Sequence, residues 1–293
     1  MTDAKELTAA LRGKWHGSYG VAPCPVCQPQ GRKDQRGLSL SNGTGGILLA
    51  RCFKGGCAFR EITAAAGIAH GTYHAPDPAL IARRMAEERA ETDKRAAQAL
   101  RLWLEAAPIE GTLAETYLRG RGITCPLPDT LRFVPSCWHA TARRFPALVA
   151  MAEGSEAFAV HRTYLRDDGS GKAEVEPSKA MLGRVGGGAV RLTQGEGPLV
   201  VAEGIETALS LASGLLRTTA TIWAALSTSG IRGLHLPPQP GRLTIAPDGD
   251  DAGRQAAHAL ADRAHGLGWQ VSLLPAPDGR DWNDILTGKA VAA

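Results

Sequence analysis

From residue 198 onward, apolar runs of strand length alternate with amphipathic or turn-rich stretches: "PLVVA" before "IETALSLASGL", then "ATIWAAL", then "RLTIA" before "DDAGRQAAHALADRAHGLG", then "WQVSLL" before "RDWNDIL". Continuous apolar runs fit strands buried on both faces, and strands that alternate with helices need crossover connections. The pattern therefore predicts an α/β domain over 198–293 with a central, mostly parallel sheet flanked by helices. Between 126 and 197 the rhythm is different. "LRFVP", "PALVAMAE", "AFAVHRTYLRDDGSGKAEVE" and "SKAMLGRVGGGAVRL" read as short strands of a mixed, strand-rich subdomain leading into that sheet. Upstream, strong helix formers run from Asp77 to Ala107 with Pro78 in the first turn. The early half of that run is nearly all polar and suits a spacer, whereas Ala97, Leu100, Trp103 and Leu104 can dock, so 71–125 is expected to be a helical linker. Residues 1–70 contain too little apolar material to fold unaided.

Composition narrows the class. At 44% hydrophobic and 21% charged residues, with no apolar run near the roughly 20 residues a bilayer demands, the chain reads as a soluble protein without a membrane partner. Its start, "MTDAKELTAA", lacks the pattern of a secretory signal, and the expected location is the cytoplasm. There, cysteines serve as ligands or core residues more often than as disulfides. The net charge of +4 is unevenly spread: residues 1–70 hold nine Lys/Arg against four Asp/Glu, while 198–293 hold seven against nine. A basic front and an acidic back fit a polyanion-binding part and a metal-binding part, although an ordinary solvated surface would also explain the first.

The front end carries Cys24 and Cys27 in "CPVC", then, after 24 residues, Cys52 and Cys57 in "CFKGGC". Two short-spaced pairs held in Pro- or Gly-containing turns can bring four thiolates around one tetrahedral Zn²⁺, which would supply much of the folding energy of a small zinc-ribbon-like domain. His16 has no obligatory place in a complete four-cysteine set, and Cys125 and Cys137 read as core residues. Between the pairs, "GRKDQRGLSL" reads as a hairpin with Arg32, Lys33 and Arg36 near its turn. Trp15, Tyr19 and Phe53 offer flat surfaces nearby, a combination suited to single-stranded nucleic acid.

The back end places Glu203, Asp248, Asp250 and Asp281 where apolar runs stop. In parallel sheets ligands bind outside the carboxyl ends of the strands, and carboxylates gathered there repel one another unless a cation lies between them. Hard oxygen ligands with open positions suit Mg²⁺ or Mn²⁺. Each aspartate taken alone also suits a helix cap, the role expected of Asp251. The "GSGK" at 169–172 fails as a Walker motif, since Arg166 and Ala173 stand where Gly and Ser/Thr are required, and it reads as a hairpin turn.

"VVAEGIETALSLA", "IAPDGDDAG" and "RDWNDIL" resemble the three motifs of a Toprim domain. With the four cysteines in front and "EPSKAMLGRVGGGAVRL" just before the first motif, the chain resembles DNA primases of the phage or plasmid type. The resemblance implies Glu203, Asp248 and Asp250 as catalytic, metal-holding residues, joined by Asp281 in the third motif. It also implies Arg162, Lys172, Lys179 and Arg184 as template or triphosphate contacts, with Arg32 and Lys33 on the zinc side. Many primases carry an aspartate four residues after the first glutamate, where this chain has Thr207 preceded by Glu206.

The reaction so implied is nucleotidyl transfer that builds short RNA primers from nucleoside triphosphates on single-stranded DNA, with a separate replicative helicase as partner. Rival readings are a Toprim nuclease, which would use the same carboxylates on water, and a non-catalytic DNA-binding mediator. The four-cysteine reading predicts about one equivalent of zinc per chain by elemental analysis. Less than about half an equivalent in carefully prepared protein would count against a closed site.

Overall fold

The computed structural model describes residues 3–32, 34–43, 47–68 and 78–288; Lys33 lies outside the described residues. The chain forms two compact units, Met1–Ala90 and Glu91–Ala293.

In the first unit, helix α1 (Ala4–Ala10) starts at Asp3, whose Oδ1 accepts the Glu6 amide at 2.8 Å. Strands β1 (Lys14–Trp15), β2 (Tyr19–Ala22), β3 (Leu38–Asn42) and β4 (Leu48–Cys52) form an antiparallel sheet in that order, followed by α2 (Phe59–Ala65). Alternation sends Leu38 and Leu40 into a core with Ala4, Leu7, Ala22, Leu48 and Ile62, and turns Ser39 and Ser41 away. Strand β3 pairs antiparallel with both β2 and β4, and the described residues just before it, Arg32 and Arg36 among them, lie in the connection from the first cysteine pair rather than at a tight turn between strands.

Helix α3 (Pro78–Glu105) continues into the second unit. Its docking face is Ala99 and Trp103, continued by Ala106 just past its end, while Ala97, Leu100 and Leu104, expected to dock with Trp103, stay exposed. This face packs with Val134, Ala147, Val149 and Val160 of a sheet, and the guanidinium of Arg132 lies 4.4 Å from the Trp103 ring centre. That sheet is antiparallel, in the order β5 (Ala107–Pro108), β6 (Leu131–Trp138), β7 (Arg144–Ala152), β8 (Ala159–Tyr164) and β9 (Lys179–Leu182). Helix α4 (Leu113–Gly120) intervenes between β5 and β6 and buries Ala114, Tyr117 and Leu118. Residues 107–125, expected within the linker, are thus built into the core of the second unit, because Ile109, Tyr117, Leu118 and Ile123 carry the apolar spacing of a packed helix and its flanks.

The C-terminal sheet runs β10 (Val190–Thr193), β12 (Thr221–Ala224), β11 (Leu199–Ala202), β13 (Arg242–Ala246) and β14 (Gln270–Leu273). All its pairings are parallel except that of β10, which joins as an antiparallel edge rather than remaining with the strand-rich part. Helices α5 (Ile205–Ser210), α6 (Thr228–Gly233), α7 (Asp251–Gly266) and α8 (Trp282–Leu286) complete this mostly parallel α/β domain. One core joins both sheets, with Phe133, Leu148 and Ala150 beside Val200, Ala202 and Ile222. Strand β7 is buried on both faces: Leu148 and Ala150 face this core, and Ala147 and Val149 face the one beneath α3. Cys125 and Cys137 are core residues. Among the described residues no helix is long and apolar enough to cross a membrane.

Leu148 has no solvent exposure at this junction. Leu148→Ala is expected to lower stability by about 3 kcal/mol in a urea titration, through lost transfer energy and a residual cavity. A loss below about 1 kcal/mol would show that the two sheets do not share a packed core.

Candidate active site and metal centre

In the first unit, the Sγ atoms of Cys24, Cys27, Cys52 and Cys57 lie within 4.8 Å of one another. The "CPVC" turn supplies two, the end of β4 a third and the "KGGC" turn the fourth. The Gly55 amide donates to Cys52 Sγ at 3.3 Å. Although burial opposes the shift, backbone amides from Gly55, Cys57 and Lys54 together with the Cys27 thiol bring the Cys52 thiol down to about 6. An all-sulfur set of four with one thiolate already favoured fits Zn²⁺, which takes four such ligands tetrahedrally. Gln28 braces it: its Oε1 accepts from the Cys24 amide at 3.1 Å and the Gly37 amide at 3.0 Å, tying the first cysteine turn to the entry of β3. No motif or spacing marks this residue. Arg32 and Arg36 rim a shallow depression beside Cys27 and Phe53. His16 is exposed and stacks on Tyr19, with ring centres 5.3 Å apart.

In the second unit, β11 is the strand from which the chain winds first to β12 and then back to β13 on the other side. This is the topological switch point, and the crevice at its carboxyl end is where such sheets hold ligands. Ala202 pairs with Ala246, so Glu203 and Asp248 emerge side by side just beyond the paired strands. They line a cleft of about 170 Å³ with Asp281, Thr207, Glu206, Leu226, Lys172, Lys179 and Arg121. The Glu203 carboxyl is pushed up to about 7, first by burial and then by the charges of Asp248 and Asp250. Asp248 rises to about 6 through burial and the charge of Asp281, against a Thr207 hydroxyl that donates to it at 3.3 Å. These half-buried carboxylates are short of positive charge. The donor set and its frustration fit a hard divalent cation that keeps several waters, held by Glu203 and Asp248 with Asp281 beside them. Among the described residues, no three of these carboxylates gather as tightly as the four thiolates.

Asp250 and Asp281 also cap helices. Asp250, not Asp251, caps α7, its Oδ1 taking the Gly253 amide at 2.6 Å. Asp251 is the first helical residue and pairs with Arg254 at 2.8 Å. The helix starts one residue earlier than expected because the two acidic loops are laced together: the Gly249 amide donates to the Arg280 carbonyl at 2.8 Å, and the Gly279 amide to the Gly249 carbonyl at 2.9 Å. A Cβ at position 249 would collide with the Pro277 carbonyl, so the glycine between the two aspartates is demanded by this contact. Asp281 caps α8 in a capping box with Asp284. Leu226 adopts a left-handed conformation, φ 71°, and donates its amide to the Glu203 carbonyl at 2.7 Å, a strained turn at the rim of the site.

Of the expected cationic contacts, Lys172 and Lys179 line the cleft. Lys172 follows a turn closed by the Gly169 amide on the Arg166 carbonyl, so "GSGK" forms a turn and not a phosphate loop. Arg162 is spent on the carbonyls of Trp138 and Met181 at 3.3 and 3.4 Å, and Arg184 is exposed away from the cleft lining. Arg121, at the end of α4, was not anticipated. Its position in "RGRG" gave no spacing signal, yet it lines the cleft with its Nε buried and without a partner among the described residues. Glu206, noted only for its place beside Thr207, is fully buried between the two lysines.

Residues 198–291 match the Toprim domain family, and residues 93–192 match a family described as a domain of unknown function, DUF7146. Residues 198–291 are therefore assigned to a Toprim domain, which follows the four-cysteine unit along the chain. Among solved structures the chain is similar to a DNA primase domain from Pseudomonas aeruginosa, at 18% identity over 62% of this chain and 69% of that one, with a TM-score of 0.39. It is also similar to the Aquifex aeolicus primase (zinc binding and RNA polymerase domains), at 15% identity, 99% and 83% coverage and a TM-score of 0.41. A third is the RNA polymerase domain of Mycobacterium tuberculosis primase DnaG, at 19% identity, 69% and 80% coverage and a TM-score of 0.39. Comparison with curated proteins gave no match.

Because Glu203 and Asp248 have folded values above their unfolded ones, the folded state holds extra protons between those values. Their contribution is present at low pH and is lost as pH rises through about 6 and about 7. Metal-free protein should therefore melt at a lower temperature at about pH 7.5 than at about pH 5.5, and magnesium should raise Tm more at the higher pH. Glu203→Gln should shrink both effects. A magnesium gain that is independent of pH and of Glu203 would remove the cation from this cleft.

Proposed function

We propose that this chain is a DNA primase that joins nucleoside triphosphates into short RNA primers on a single-stranded DNA template. The observation that supports it is the composition of one cleft: Glu203 and Asp248 at the switch point of a Toprim sheet, faced by Lys172, Lys179 and Arg121. Carboxylates that want a cation, set opposite cations that want phosphate, suit a metal–triphosphate complex and no neutral substrate.

Lys172, Lys179 and Arg121 bind and orient the triphosphate, ammonium groups as point charges and the guanidinium in its fork geometry. Glu203 and Asp248 would hold magnesium or manganese, which when bound would offset charge on the triphosphate and on the 3′-oxygen as it bonds to the α-phosphorus and pyrophosphate leaves. Alternatively, a Glu203 carboxylate oxygen not engaged by the metal would accept the 3′-hydroxyl's proton. Asp250 and Asp281 serve by holding the acidic loops on their helices, each with a second carboxylate oxygen left over from its cap. In the first unit, Arg32 and Arg36 beside the exposed Phe53 give phosphate and stacking contacts for template. A role in phage or plasmid replication in the cytoplasm, beside a separate helicase, rests on the motif resemblance.

Incubation of the full chain with single-stranded DNA, magnesium or manganese and labelled nucleoside triphosphates should yield short oligonucleotides. Asp248→Asn and Glu203→Gln should each reduce the yield by about 100-fold or more. Shortened template without new oligonucleotide would instead assign a nuclease, and DNA binding without turnover a mediator.

A further inference from the structure

Glu206 is a charged residue at the cleft that the proposed chemistry does not use. It lies in α5 one turn beyond Glu203, and only 4% of it is exposed. Lys172 Nζ lies 3.3 Å from its Oε1, Lys179 Nζ donates to its Oε2 at 3.1 Å, and the Tyr117 hydroxyl donates to Oε1 at 2.7 Å. The three partners come from the turn after β8, from β9 and from α4, so one carboxylate ties three separate pieces of the antiparallel part to the Toprim part. Burial alone would neutralise Glu206. The charges of Lys179 and Lys172 and the Tyr117 hydrogen bond override it and hold the carboxyl well below its usual range.

We infer that Glu206 is a positioning residue that clamps Lys172 and Lys179 side by side as a fixed cationic edge for the phosphates of an incoming nucleoside triphosphate. The inference rests on the reading given under Proposed function. Each ammonium carries three donors and spends one on Glu206, which leaves two apiece for phosphate oxygens. Two lysines and a guanidinium on one half-buried wall would otherwise repel one another, and burial would favour shedding a proton. With Glu206 between them the trio Lys172, Lys179 and Glu206 keeps a net charge of +1, and Arg121 adds a second positive charge. The other titratable groups around it are Tyr117 and the buried His161 on this side and Glu203 and Asp281 across the cleft. His161 is held neutral near pH 7, brought down to about 4 first by burial and then by Lys179, so it offers the lysines no competing charge.

Two measurements on the full chain test the clamp. In primer synthesis, Glu206→Gln should raise KM for the nucleoside triphosphate about tenfold while kcat changes by less than about threefold, the signature of lost ground-state binding. Glu206→Asp, which keeps the charge, should recover part of the loss. The double variant Glu206→Gln with Lys172→Gln removes the repulsion and should regain thermal stability but not KM. Recovery of KM along with Tm would reduce Glu206 to a stabilising ion pair and overturn the inference. Independently of nucleotide, acylation by an N-hydroxysuccinimide ester, read by mass spectrometry on the peptides holding Lys172 and Lys179, should speed up several-fold in Glu206→Gln. Unchanged rates would overturn the clamp whatever the protein does with triphosphates. Faster acylation in a protein that makes no primers would support the clamp and overturn the nucleotide assignment alone.

Discussion

Separation of opposite charges across one narrow cleft is the constraint on which the site depends. Glu203 and Asp248 stand at the carboxyl ends of adjacent parallel strands, their carboxyls pushed up first by burial and then by the charges of neighbouring aspartates, while Lys172 and Lys179 stand on the antiparallel side with Glu206 between them. Direct pairing of the lysines with Glu203 and Asp248 would collapse the cleft into an ordinary ion-pair network. Glu206 prevents this by satisfying both lysines from beneath, so the metal-seeking carboxylates remain unpaired and the phosphate-seeking cations remain partly free. The arrangement stores unfavourable electrostatic energy, which on the proposed reading a metal–triphosphate complex would release.

The scaffold makes that separation possible. One apolar core runs between the two sheets of the second unit, with β7 buried on both faces, so the antiparallel part and the Toprim part are locked in a single packing arrangement. The acidic loops are fixed in turn by backbone hydrogen bonds through Gly249 and by the Arg254 guanidinium, which reaches the Gly249 carbonyl, Asp251 and Asp278. Rigid support of this kind holds charged groups where relaxation would otherwise let them pair or turn to solvent.

The first unit solves a different problem. Its sheet is short and its buried core is built on a handful of Leu, Ala and Ile side chains, so a metal held by the four cysteines would supply stability that apolar area does not. Gln28 shows how closely the polypeptide is fitted to that purpose: one side-chain oxygen joins the first cysteine turn to β3. The opposite face of the sheet and the adjoining loop are free to display Tyr19, Phe53, Arg32 and Arg51.

Much of this was legible in the amino-acid order, for physical reasons that are local. Paired cysteines announce a tetrahedral site by spacing, apolar runs that alternate with helices announce a parallel sheet, and carboxylates where those runs stop announce its ligand-binding edge. The docking face of α3, the burial of 107–125 and the capture of β10 by the Toprim sheet were not legible, because each depends on what another segment presents at the contact. Which aspartate capped α7 turned on one backbone contact between two loops 30 residues apart, Gly249 against Arg280 and Gly279. Arg121 lies in no motif, and Glu206, although inside the first motif stretch, has no role marked by it, since the importance of both lies in partners distant along the chain, Tyr117 being 89 residues from Glu206. The sequence by itself determined which chemistries the chain possesses and roughly which elements carry them, since periodicity and spacing are properties of neighbours. Only the tertiary structure decided which charges face one another and which are screened, since Coulomb interaction and burial depend on distance in space.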